Sequence, residues 1–388
     1  MASIRTALGD FMDSQARVRA LTGKPVLRQL REIRRFRKEA ILCGATDYYR
    51  FGIYDPDYVP RANWPTYLGW RDQRGLSLAL NPRRVSLPGW DKLCFYALAR
   101  NLDIPLPTIR ACFQPGTRAT ASWMGCVLGD VAALRRFLLE DATWPLFVKP
   151  SWGGEGIRTL RLEGLDRAAG RLILHGGRTM EIETFLHWCT APSDRWHYRA
   201  EQGLLFQEVL APDPQMATLF RLHAVPSLRI VSLVGAAGEV VIHRVVAKIP
   251  LGDNVIDNFA LGRTGNMAVL VDIASGRFGH GLRGILPTGE VERAIGGAPS
   301  PFLGAAVPHW EAALDIVARG ATAFPLMRIQ HWDIALTDRG PVALELNDLG
   351  GTEILQIHGI GLLTAPLREH VRRYGDPAVR SWVAALRA

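Results

Sequence analysis

PLFVKPSWGGEGIRTLRL, residues 145–162, puts a lysine at the end of an apolar run and glycines directly after it. Apolar and polar residues alternate with period two in IRTLRL, so strand-like sequence flanks the loop on both sides. A P-loop would need a helix after the glycines and a GK[ST] ending, which this stretch lacks. A strand–glycine loop–strand unit beside a lysine can act as a flap over phosphates. The backbone N–H groups of Gly153, Gly154 and Gly156 are open to approach because no side chain blocks them. Lys149 would add a point charge. An ordinary hairpin turn with an exposed lysine would read the same way.

A second stretch, HWDIALTDRGPVALELN at 331–347, reads as a hairpin. Strict alternation in VALELN puts Val342, Leu344 and Leu346 on one face and Ala343, Glu345 and Asn347 on the other. In HWDIAL the apolar face is Trp332, Ile334 and Leu336, which leaves Asp333 opposite. Asp338-Arg339-Gly340 suits a three-residue turn with Gly340 left-handed, and that register sets Asp333 across from Glu345. Two carboxylates and an amide oxygen are hard ligands that suit Mg²⁺, which keeps waters and completes its shell from substrate phosphates. The alternative is a polar hairpin face turned to solvent.

The chain has 388 residues, more than one hydrophobic core normally serves, so two or three subdomains are expected. It contains no apolar run long enough to span a bilayer, and MASIRTALGDFMDSQARVRA lacks a secretory h-region. The five cysteines are scattered and form no CxxC pair, which points to free thiols in a reducing cytoplasm. The net charge of +9 owes much to RQLREIRRFRK, 28–38. That run could contact nucleic acid or anionic lipid. Alternatively it is a solvated helix face whose buried edge is Leu30, Ile33 and Phe36.

Residues 1–45 read as basic amphipathic helix, and the aromatic-rich segment 46–85 as ordered, irregular chain packed on a neighbour. Asp91 can cap a helix reaching about Asn101, and 130–140 forms another short one. Strands follow at LLFQEVL, SLRIVSLV and EVVIHRVVAKI, with GAAGE as a hairpin turn, then a helix over 307–324. TAPLREHVRRYG and AVRSWVAALRA close the chain as helices.

These motifs together resemble the ATP-grasp superfamily. The resemblance covers roughly 85–360 and rests on Asp91-Lys92, FVKP ending in Lys149-Pro150, the WGGEGI loop, LLFQEVL and the Asp333, Glu345, Asn347 set. Within it, PSLRIVSLV, VVAKIPLGDNVIDNF, LVDIASG and HWDIAL are most similar to the sugar-transfer-associated proteins, also described as α-L-glutamate-ligase-related. The resemblance implies an α+β ATP-grasp fold, two α+β subdomains clamping ATP. Residues 1–84 would be a helical and irregular extension, 85–206 the part with the flap, and 207–388 the part with the metal site.

It implies that Lys92 and Lys149 contact the α- and β-phosphates and that the 153–156 loop covers the triphosphate. Gln207, Glu208, Val209 and Leu210 resemble the adenine hinge, and Asp333, Glu345 and Asn347 the Mg²⁺ ligands. Lys248 stands where a cation reaches the γ-phosphate, Arg229 and Asn258 line the phosphoryl-transfer side, and Arg244 is a further cation candidate. The implied cofactors are ATP and Mg²⁺, and the partners small-molecule or peptide carboxylates and amines, with no nucleic acid. The implied reaction is a cytoplasmic carboxylate–amine ligation through an acyl-phosphate, releasing ADP and phosphate. Two alternatives stand beside it, a kinase-like enzyme that stops at phosphorylation and a non-catalytic binding module.

Two departures from the family pattern fall on the acceptor side: His331 stands where many relatives place an arginine, and ALGRTG at 260–265 replaces paired glycines. Glu353 and His358 are candidate bases by position, though a core histidine is the plainer reading of His358. Segments 46–85 and 176–200 are candidates to shape an acceptor pocket. Replacing Asp333 or Glu345 is expected to abolish turnover and leave the fold intact.

Overall fold

A computed structural model describes residues 2–40, 42–69, 72–117, 121–154, 156–193, 198–292, 294–295 and 298–379. Asp91 caps the helix after it, as its position predicts: its carboxylate accepts the N–H groups of Leu93 and Cys94. The basic N-terminal run breaks at Gly23-Lys24-Pro25 into α1 (Ala2–Thr22) and α2 (Val26–Glu39). On α2, Ile33 and Phe36 are buried as expected, but Leu30 is exposed. Gln29 takes the inward position and holds the Tyr49 hydroxyl through its amide oxygen. Further helices are α3 (Asp47–Arg50), α4 (Gln73–Leu80), α5 (Lys92–Ala99), α6 (Val131–Arg136) and α7 (Ile182–Thr190). They are followed by α8 (Pro214–Phe220), α9 (Trp310–Ala323) and α10 (Ala365–Tyr374). The expected last helix, AVRSWVAALRA, falls almost wholly outside the described residues.

Two seven-stranded sheets carry the rest. The first contains β1 (Ile109–Phe113), β2 (Cys126–Leu128), β3 (Leu146–Pro150), β4 (Leu160–Asp166), β5 (Arg171–Leu174), β6 (Thr179–Glu181) and β7 (Leu204–Glu208). Their order is β2-β1-β7-β3-β4-β5-β6, with only β1–β2 parallel. The second contains β8 (Ser227–Val234), β9 (Val240–Ile249), β10 (Met267–Asp272), β11 (Arg277–Arg283) and β12 (Glu290–Glu292). After the small pair β13 (Ala294–Ile295) and β14 (Ala298–Pro299), β15 (Ile329–Thr337) and β16 (Gly340–Asn347) complete it. Its order is β12-β11-β10-β9-β8-β15-β16, antiparallel throughout.

Sheet two is buried on both faces. Leu228, Ile230, Trp332, Ile334 and Leu336 pack toward α5 and α9 on one side. Val231, Leu233, Val246 and Ile329 on the other side join Phe36, Tyr48, Phe51, Tyr67 and Leu68 from the N-terminal segment in one core. Among the described aromatics of 46–85, Tyr48, Tyr49, Phe51, Tyr54, Trp64 and Tyr67 are buried in the core, as the composition suggests. All five cysteines are free, and no helix among the described residues is long and apolar enough to cross a membrane.

The second hairpin departs from strict alternation. Asp333 pairs with Glu345 as expected, but Ile334 pairs with Ala343, so Leu344 is bulged out of register. Ala343 and Leu346 consequently share the core face, and Leu344 turns to the cleft with Glu345. The loop is also tighter than expected: Thr337 pairs with Gly340 (φ +102°), leaving only Asp338 and Arg339 in the turn.

Candidate functional site

Between the sheets lies a cleft of ≈ 530 Å³. One wall comes from β3, the 151–157 loop and the start of α5, with Lys92, Phe147, Lys149, Gly153, Gly154 and Gly156. The facing wall comes from β8, β9 and the β15–β16 hairpin, with Arg229, Lys248, Asp333, Glu345 and Asn347. The cleft thus gathers residues more than 240 positions apart in sequence.

Asp333 is the electrostatic centre. Its Oδ1 accepts from Arg229 Nε at 2.6 Å, and its Oδ2 accepts from Arg229 Nη2 at 3.0 Å and Lys248 Nζ at 3.1 Å. Burial alone would raise the Asp333 carboxyl, but the charges of Arg229 and Lys248 outweigh it and hold the group well below the usual range. Lys248 also lies 3.1 Å from Asp257 Oδ2. Its own pKa is lifted: burial opposes the charge, and Asp257 and Asp333 overcome that.

Lys92 donates to the Gly153 carbonyl at 2.6 Å and sits 3.4 Å from Glu345. Asn347 Nδ2 donates to Glu345 Oε1 at 3.1 Å. Lys149 is half-buried in the wall, 3.3 Å from the Tyr96 hydroxyl. Burial lowers its pKa, partly offset by Glu345, Asp333 and Asp257.

The glycine loop is pinned at its leading edge. Lys92 N–H donates to Ser151 O, Gly153 N–H donates to Trp90 O at 3.2 Å, and the Trp90 and Trp152 rings lie 6.3 Å apart. Gly153 N–H is therefore engaged in this conformation and would have to be released to meet a phosphate. Gly156 has φ +66°, and a Cβ there would come within 2.5 Å of Ile256 Cδ1, across the cleft. At Gly154 a Cβ would meet nothing.

Gln207, Glu208, Val209 and Leu210 do not line the cleft. Gln207 turns to Tyr96, and Glu208 accepts the Thr108 N–H at 2.8 Å and a double contact from Arg339 in the hairpin turn. Arg244 is also outside: it shares the face of Lys248 but lies four residues back along β9, near Tyr67, and donates to Gly361 O at 2.7 Å. Glu353 lines the cleft, whereas His358 is buried, donates from Nε2 to Ala268 O at 3.1 Å and is pushed down by burial to about 3. His331 is buried behind Asp333 and pushed down to about 3, first by burial and then by Arg229. Held neutral in this way, it does not supply a cation at that place.

Asn258 lines the cleft, and its Oδ1 takes the Ala260 N–H at 3.1 Å. Its neighbour Asp257, not singled out from the sequence, is the one that contacts Lys248 and accepts from the Ser227 hydroxyl. Only its adjacency in the DN pair could have flagged it. Tyr96 and Asp348 were equally silent. Tyr96 stands one turn after Lys92 on α5, and Asp348 directly follows Asn347, with its carboxyl raised by burial.

No cluster of three His, Cys, Asp or Glu suited to a metal occurs among the described residues. The donor set is instead two carboxylates and an amide, which fits a cation that takes its remaining ligands from phosphates. Asp333 accepts three hydrogen bonds from Arg229 and Lys248 and also meets the Glu345 side chain, so the two carboxylates face the same space.

The family described as sugar-transfer associated ATP-grasp matches residues 71–371. Among solved structures, the chain is similar to an L-amino acid ligase from Bacillus licheniformis (12% identity, TM-score 0.38, 73% of this chain and 48% of that one). It is similar to the VanG D-Ala:D-Ser ligase from Enterococcus faecalis (13%, TM-score 0.39, 74% and 62%). A third is a phosphoribosylamine–glycine ligase from Thermotoga maritima (12%, TM-score 0.38, 70% and 50%). The match spans about half to three fifths of the length of those chains. No curated protein matches the sequence.

Proposed function

Because the chain belongs to the sugar-transfer associated ATP-grasp family, we propose that it is an ATP- and Mg²⁺-dependent carboxylate–amine ligase. The observation that carries this reading is one cleft in which Asp333, Glu345 and Asn347 face Lys92 and Lys149. The fold divides in this reading into a 1–84 extension, an 85–206 part bearing the flap and a 207–388 part bearing the hairpin.

The substrate carboxylate attacks the γ-phosphorus of ATP, the bond to the β–γ bridging oxygen breaks, and ADP leaves. An amine then adds to the acyl-phosphate carbonyl, loses a proton and expels phosphate. Most of the protein's work in such a reaction is positioning and charge neutralisation. Lys92 and Lys149 hold the phosphates from the sheet-one side. Lys248 and Arg229, already charged and fixed by Asp333, offset charge on the transferring group without reorganising. Asp333, Glu345 and Asn347 would hold Mg²⁺, which supplies Lewis-acid stabilisation of phosphate oxygens. The 151–157 loop shields the acyl-phosphate from water. Glu353, which lines the cleft, is the candidate base for the amine.

A screen of carboxylate and amine pairs for ADP release, with mass analysis of products, tests the proposal. An amide formed with one equivalent each of ADP and phosphate supports it. A stable phosphorylated product would place the enzyme with the kinase-like alternative, and absence of ADP formation with every pair would support a binding module.

A further inference from the structure

We infer that Tyr96 is a positioning residue that fixes the Lys149 ammonium and ties it to the hairpin bearing Glu345. Tyr96 is buried one turn after Lys92 on α5, between the two sheets. Its hydroxyl accepts from Lys149 Nζ at 3.3 Å and from Gln207 Nε2 at 3.2 Å, and donates to the Leu344 carbonyl at 3.1 Å. A phenol has one proton and two acceptor lone pairs, so its capacity is fully used. Two of the partners belong to β3 and β7 of sheet one, and the third to β16 of sheet two.

The third bond coincides with the hairpin's irregularity. Leu344 is the bulged residue of β16, left out of the ladder, and it directly precedes Glu345. A single hydroxyl thus joins the residue before a carboxylate of the proposed metal set to the lysine on the opposite wall. The Tyr96 ring adds a cation–π contact, with Lys149 Nζ 5.8 Å from its centroid. A half-buried ammonium on a flexible four-carbon stem needs such fixed partners to stay aimed. Gln207 then belongs to this hub and acts on the nucleotide only through Tyr96 and Lys149.

The inference rests on the proposed nucleotide role of the cleft, and its test separates the two. Tyr96→Phe keeps the ring and the cation–π contact and removes only the hydroxyl. Calorimetric titration with Mg-ATP should show a roughly 10-fold weaker Kd in Tyr96→Phe, the size of one lost charge-assisted hydrogen bond. In a Lys149→Met background the same change should alter Kd less than about two-fold, because there is no ammonium left to position. Gln207→Met, which leaves the phenol in place, should give a smaller loss that also vanishes without Lys149. It serves as the second variant if thermal melting shows Tyr96→Phe poorly folded. Wild-type affinity in both single variants, or equal losses with and without Lys149, would overturn the positioning role. Wild-type protein that binds no Mg-ATP would instead contradict the nucleotide reading on which the inference stands, and the inference with it.

Discussion

Asp333 carries two cations, Arg229 and Lys248, and this changes what its removal should do. The sequence suggested that Asp333→Ala and Glu345→Ala would both abolish turnover and spare the fold. In the structure, Asp333→Ala takes from Arg229 its paired carboxylate and leaves Lys248 with Asp257 alone, and breaking a buried ion pair typically costs about 3–5 kcal/mol. Thermal melting should therefore show a large loss for Asp333→Ala and little for Glu345→Ala, whose carboxylate is less buried and makes one 3.4 Å ion pair. Equal melting in the two variants would contradict the charge network. In the proposed function Lys149 meets a phosphate, a charged contact worth about 1.5–3 kcal/mol, so Lys149→Ala should lower the apparent affinity for ATP roughly 10- to 100-fold. Three histidines, His331 and His358 buried and His243 half-buried, give the fold a pH signature. His331 and His358 are pushed down to about 3 and His243 to about 4, each chiefly by burial. Depressed below the unfolded value of 6.5, they are neutral when folded and take up protons on unfolding. Their stability contribution is complete above pH 6.5 and is lost as pH falls toward 3–4, at about 1.4 kcal/mol per pH unit for each group. Asp333 adds to the loss only below pH 3.8. Chemical denaturation across pH 4–8 should show the decline beginning near pH 6, and a flat profile to pH 4 would contradict it.

At the scale of elements, the hairpin and the glycine loop were legible because each rests on local rules. Period-two alternation, a positive-φ glycine after Asp338-Arg339 and the pairing of Asp333 with Glu345 follow from residues close in sequence. The bulge at Leu344 was not legible, because it depends on Ala343 being drawn into the core beside Leu346. Nor was the displacement of Gln207 and Glu208 from the cleft, which Tyr96, Thr108 and Arg339 enforce from three other segments. The glycines now separate by geometry. A methyl at Gly350 would fall within 2.0 Å of His331 Nδ1, behind Asp333, so Gly350→Ala must shift either the ring or the 348–351 backbone. Overpacking of this kind costs about 1–3 kcal/mol, and it should lower both melting temperature and turnover. In the flap, Gly156→Ala combines a left-handed backbone with contact to Ile256 and should raise the KM for ATP several-fold, while Gly154→Ala should have little steric effect. Equal KM values for the two would show that the loop does not fold over the cleft as seen here.

At the scale of the molecule, the N-terminal 84 residues are inseparable from sheet two. Phe36, Tyr48, Phe51, Tyr67 and Leu68 are completely buried in the core they share with Val231, Leu233, Val246 and Ile329. At about 1.5–3 kcal/mol each, these five side chains are worth roughly 7–15 kcal/mol, comparable to the whole stability of a typical domain. Deleting residues 1–84 should therefore yield insoluble or unfolded protein, and a soluble, cooperatively melting truncation would contradict the shared core. Composition revealed that this segment packs onto something, but not that it covers a sheet formed some 150 residues later, because no local pattern encodes that pairing. The same holds for the cleft, whose two walls were each readable while their opposition was not. Its opposition is also the point on which the account stands, since the hairpin's oxygens and the two lysines must act on one ligand. Calorimetric titration of ATP with and without Mg²⁺ on wild type, Glu345→Gln and Lys149→Met tests this most directly. Mg²⁺ should strengthen ATP binding to wild type, Glu345→Gln should lose most of that gain, and Lys149→Met should weaken binding under both conditions. ATP binding that is indifferent to Mg²⁺ and unchanged in both variants would contradict it.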